Sequence, residues 1–113
     1  MIDITLTVPN GTSTSDSQMV GNAALRSELG IAAIQSPAGL TDNTGRFEIS
    51  DDGSTWTAVQ DTAGSAITFS LKASKITIMA PDKSYFVKPY IRLITTSNVG
   101  AESAFKVYFR EVS

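Results

Sequence analysis

The chain opens on "IDITLTV", in which Ile2, Ile4, Leu6 and Val8 alternate with Asp3, Thr5 and Thr7. Alternation with a period of two puts one set of side chains on each face, so the run predicts a half-buried strand. Pro9, Asn10 and Gly11 end it. "GTSTSDSQMV" stays polar until Met19 and Val20 and reads as a loop leading into an edge strand. Only "GNAALRSELG" leans towards helix, with Asn22 placed to cap it and Gly30 to stop it; a turn or the start of a strand fits it equally. "GIAAIQSP" reads as a short buried strand stopped by Pro37.

Alternation returns in "RFEIS", with Phe47 and Ile49 inward, and "TWTAV" follows the step Asp51-Asp52-Gly53. An Asp-Gly step between two such runs marks a hairpin, because glycine accepts the positive φ that matches strand twist. "DTAG" makes the next turn, "AITFSL" and "KITIM" supply two more strands, and Ala73-Ser74 bends between them. "APDKSYF" connects onward, with room for one helical turn after Pro81. In "VKPYIRLITT" and "AFKVYFREV" the inward set is Ile91, Leu93, Phe105, Val107 and Phe109. The predicted core is Phe47, Ile49, Ile67, Phe69, Ile91, Phe105, Val107 and Phe109. Eight or nine short strands at nearly even spacing imply an all-β, two-sheet antiparallel sandwich of jelly-roll type, with residues 1–113 forming one domain.

Composition narrows the chemistry. There is no Cys and no His, which removes disulfides, thiolate metal sites, and the commonest general base and metal ligand. A net charge of −2 gives no basic footprint for nucleic acid. No run approaches the length of a membrane span, so no membrane partner is expected. Serines are plentiful, but none has a His to activate it, and no G-x-S-x-G elbow or phosphate-cradling glycine loop occurs. The carboxylates fall at turns and on outward strand positions, with no sign of a pair sharing a cleft, as glycoside hydrolysis requires. The expectation is a protein that is not an enzyme, with no catalytic residue and no cofactor.

"SDDGSTW", from Ser50 to Trp56, nearly matches S-x-D-x-G-x-T-W, the Asp-box of sialidase propellers, but is one residue short and occurs once. A propeller needs several blades of about forty residues each, more than 113 residues hold. The motif is then expected to brace a hairpin, its Asp side chains bonding turn amides and Trp56 covering the core edge. Asp51, Asp52 and Asp61 offer oxygen ligands for calcium, but the further acidic positions and closing Glu of an EF-hand loop are missing, so no metal site is expected.

Tyr90, Arg92, Tyr108 and Arg110 alternate outward on the last two strands. Were those strands adjacent, the four would form one exposed aromatic-cationic face of the residue types enriched in protein interfaces. Ordinary cross-strand pairing on a wet sheet face is the plainer reading.

The order of the pieces carries a resemblance. "GTSTSDS", "LGIAAIQSPAGLT", "GRFEISDDGSTWTAVQDTAGS", "ITFSL", "KITIM", "YFVKPYIRLITTS" and "FKVYFREV" follow one another over nearly the whole chain. In that order they resemble small virion proteins of tailed phages, of the head decoration or capsid cement type. The chain departs from them at "NAALRSEL", at Trp56 and at Pro89. The resemblance implies a homo-oligomer, a trimer favoured, that binds the major capsid protein on the outside of the virion after synthesis in the host cytoplasm. It carries no catalytic residues across. Gly11 to Gln18, with little apolar anchoring, is expected to be an arm that orders on docking. A second reading makes the chain a carbohydrate- or receptor-binding module of a virion fibre or tail. Trp56, Tyr85, Tyr90 and Tyr108 would then stack on sugars, with calcium at Asp51 and Asp52. A glycosidase is a distant third.

Overall fold

The computed structural model describes residues 2–20, 29–60, 62–79 and 89–111, and every regular element among them is a strand. The helical leaning of "GNAALRSELG" up to Glu28, the turn after Pro81, Tyr85 and Asp61 lie outside the described residues. In chain order the strands are β1 (Ile2–Val8), β2 (Gln18–Met19), β3 (Leu29–Gln35), β4 (Asn43–Ser50), β5 (Thr57–Ala58), β6 (Phe69–Leu71), β7 (Ile76–Ile78), β8 (Tyr90–Thr95) and β9 (Ser103–Glu111).

They form two antiparallel sheets. The first runs β1-β9-β3-β7; in the second, β2-β8-β4 continues to β5, and β6 also pairs with β4. With β5 and β6 taken as one interrupted strand, the first strand pairs with the last, the second with the next to last, and so on inward. That is the jelly-roll order the spacing predicts. Its consequence is long-range pairing: Leu6 stands opposite Phe105, and Phe47 opposite Leu93.

The inward alternation builds the core. Leu6, Val8, Phe47, Ile49, Leu71, Ile91, Leu93, Phe105, Val107 and Phe109 are buried in one cluster, and all eight predicted core residues are buried. Phe47 and Phe69 meet with ring centroids 5.1 Å apart and planes tilted by 40°. β3 breaks strict alternation. Ile31 and Ile34 are both fully buried, three positions apart, because the register with β9 shifts between Ile31 and Ala33. A bulge absorbs the odd residue and returns the next Ile to the core. Gly45 on β4 is crowded by side chains from the neighbouring strands of its own sheet: a Cβ there would lie 2.9 Å from both Leu71 and Phe69.

"AITFSL" and "KITIM" supply strands with the bend at Ala73-Ser74 between them, as expected; β6 and β7 belong to different sheets, so that bend carries the chain across the sandwich. Ser74 takes a φ of 59° there. One expectation is corrected: the segment from Gly11 to Gln18 is no free arm. Asp16 and Thr7 bond each other through Asp16 N–H to Thr7 C=O (3.0 Å) and Thr7 N–H to the Asp16 carboxylate (2.8 Å). On the other side, Ser15 N–H donates to Leu93 C=O (2.9 Å), and the Ser15 hydroxyl accepts from Leu93 N–H (2.8 Å). Its polar residues thus tie β1 of one sheet to β8 of the other, and hydrogen bonds from backbone and side chain together replace the missing apolar anchor.

Candidate functional site

The hairpin turn between β4 and β5 is built by Ser50 and Asp52. The Ser50 hydroxyl accepts from Gly53 N–H (2.9 Å) and Asp52 N–H (3.2 Å), and donates to the Asp52 carboxylate (3.0 Å). The same Asp52 oxygen accepts from Ser54 N–H (2.8 Å) and Thr55 N–H (2.9 Å). Gly53 supplies the left-handed step at φ 80°. The Thr55 and Ser54 amides, then the Ser50 hydroxyl, hold the Asp52 carboxyl below its ordinary value of 3.8. The expected bracing by an Asp is therefore present, through Asp52.

Trp56 lies elsewhere than expected. It is half-buried and not part of the core cluster; the Arg92 guanidinium sits over its ring, 4.4 Å from the centroid. Arg92 on β8 stands directly opposite Glu48 on β4 and donates from Nε (2.8 Å) and Nη2 (2.6 Å) to one carboxylate oxygen. Arg46 lies 3.9 Å from the other oxygen. Tyr90, two residues before Arg92, packs against the turn: a Cβ on Gly53 would lie 3.6 Å from its ring. Turn, indole, guanidinium and carboxylate thus form one connected patch on the outer face of the second sheet.

This overturns the single face drawn from Tyr90, Arg92, Tyr108 and Arg110. β8 lies in the second sheet and β9 in the first. The outward pairs therefore point away from each other, with the core between them. Arg92 is engaged by Glu48 and Trp56, and the Tyr108 hydroxyl donates to Gln35 (3.1 Å) beneath the Lys106 ammonium. The four aromatics of the sugar-binding reading do not converge either: Tyr108 is separated from Trp56 and Tyr90 by the sandwich, and Tyr85 lies outside the described residues.

An open cleft of about 360 Å³ lies at one end of the sandwich, between the segments 39–43 and 97–103. Leu40 and Val99 are buried at its floor, and Asp42, Asn98 and Gly100 line its rim. Asn43 holds it together, donating to Ser97 C=O (3.0 Å) and accepting from Ser97 N–H (3.2 Å). Asp42 faces Lys72 at 3.4 Å. Among the described residues no group of three or more Asp or Glu is placed to hold a metal ion.

Glu48 as the partner of Arg92, and Trp56 as its cover, were not found from sequence. Glu48 is an outward position on a recognisable strand and Trp56 directly precedes β5, yet 44 residues separate Glu48 from Arg92, and only the fold sets the register. Against known proteins, the chain matches no family model, no curated protein and no solved structure.

Proposed function

We propose that this chain is a head decoration protein of a tailed phage, which binds the outside of the shell through the major capsid protein and reinforces it. The observation that carries the reading is the order of segments. The stretches that resemble decoration proteins correspond in sequence to the bracing segment 11–18, to β3, to the β4–β5 hairpin, and to β6, β7, β8 and β9. A jelly roll tied across both layers is a stiff body suited to such a role. The work is adhesion, with no substrate turned over. Copies assembled around an axis, a trimer in the favoured case, multiply modest contacts through avidity.

The test is direct. Purified chain is added to emptied, expanded heads of the phage that encodes it. Saturable binding at a fixed ratio to shell subunits, with a rise in the temperature at which heads rupture and no response to chelator, is the expected result. Failure to bind those heads overturns the proposal. Retention on a glycan array, lost when Trp56 or Tyr90 is replaced by Ala, would favour the fibre or tail reading.

A further inference from the structure

β7 reverses the inward apolar pattern of β4, β6, β8 and β9. Ile76 and Ile78 are 54% and 78% exposed, while Thr77 turns inward and donates its hydroxyl to Ser70 C=O (2.7 Å) in the opposite layer. With Met19 they are the exposed large apolar side chains among the described residues. β7 also ends its sheet, pairing with β3 alone. Ser36 N–H donates to Lys75 C=O (2.9 Å) and Met79 N–H to Ala32 C=O (2.8 Å). Residues 75, 77 and 79 therefore turn their peptide groups to β3. Ile76 and Ile78 turn theirs to the open side, where no bond is made among the described residues. The opposite edge differs: β1 is covered where Thr7 and Asp16 exchange hydrogen bonds.

Natural proteins protect an exposed edge with charge, proline or a bulge. β7 instead presents two isoleucines whose peptide groups are unpaired among the described residues. We propose that this edge pairs with the same edge of a second copy, antiparallel and about a two-fold axis at Thr77. In that register Ile76 faces Ile78 of the second copy and each pair exchanges both hydrogen bonds. Thr77 faces Thr77 across a non-hydrogen-bonded site. Lys75 faces Met79 of the second copy, so no like charges meet. The surface is self-complementary, as an isologous contact requires. Three residues bury far less than the ~800 Å² per partner of a standard interface, so the contact is weak alone and forms when copies are concentrated. It rests on the edge geometry and not on the reading as a decoration protein.

The absence of cysteine permits a clean test. Across such a site the Cα atoms lie about 4.5 Å apart, within disulfide range. Under mild oxidation at about 1 mM protein, Thr77→Cys should form a covalent dimer at least about tenfold faster than Ser54→Cys on the distant turn, through the raised local concentration. Adding Ile78→Lys should return it to the control rate. Sedimentation of cysteine-free protein is the second measurement, with weak association for the original chain and none for Ile78→Lys. Equal cross-linking rates at the two positions, or identical sedimentation of the two proteins, would overturn the proposal. So would an Ile78→Lys variant that sediments like the original but loses affinity for heads, because the shell would then own the edge.

Discussion

Arg92 is clamped by the carboxylate of Glu48 directly opposite on β4, at 2.6 Å, and the indole of Trp56 just before β5, at 4.4 Å. A guanidinium suits this place, because its plane stacks on the ring while its edge donates to the acid. Arg92→Lys keeps the charge but loses the stacked plane and one donor. It should cost about 1–2 kcal/mol in chemical denaturation, with a shift in Trp56 fluorescence. Arg92→Glu would set two carboxylates face to face and lower the melting temperature of the free protein. An unchanged melt for both would show that the clamp contributes nothing.

Gly45 has no room for a side chain. The Gly45→Ala methyl would press on the buried side chains of Leu71, Phe69 and Leu93. The expected loss is about 1–3 kcal/mol of unfolding free energy, the usual range for overpacking. Gly39, with open space around it, should accept Ala at the same measurement with a far smaller change.

Ser15 is buried and serves Leu93 N–H while donating to Asp16 C=O (2.7 Å). Ser15→Ala strands a buried backbone donor and should cost about 1–3 kcal/mol. Hydrogen exchange at the Leu93 amide should rise more than global destabilisation alone explains.

Asp52 titrates below its ordinary value because turn amides bond its charged form. For a lowered carboxylate the stabilisation is complete above the unfolded value and is lost as pH falls through the folded one. Asp52→Asn should therefore differ from the original chain by a constant amount at pH 5 and above. The gap should close as pH falls below the ordinary value of 3.8. A gap that persists at lower pH would remove the charge from the account.

Much of the fold is legible in particular residues. Phe47 and Ile49 around Arg46 and Glu48, and Phe105, Val107 and Phe109 around Lys106 and Tyr108, announce strands with one face inward, and each apolar member is buried. Asp52-Gly53 announces the hairpin turn. β7 misleads, since "KITIM" places its isoleucines where a core strand would, yet the edge position turns them outward. The segment 11–18 misleads too, because it is anchored by hydrogen bonds from its backbone and from the Ser15 and Asp16 side chains, which a count of apolar residues does not record.

Local alternation and turn chemistry determined the class of fold, the approximate number of strands and the inward faces of β4, β8 and β9, because each is settled within a few residues by covalent geometry and the exclusion of apolar groups from water. The tertiary structure alone decided that Arg92 meets Glu48 and Trp56, that Tyr90 and Tyr108 point apart, and that β7 pairs on one side only among the described residues. Those relations depend on which strands become neighbours, and that is settled by closing long loops around one shared core.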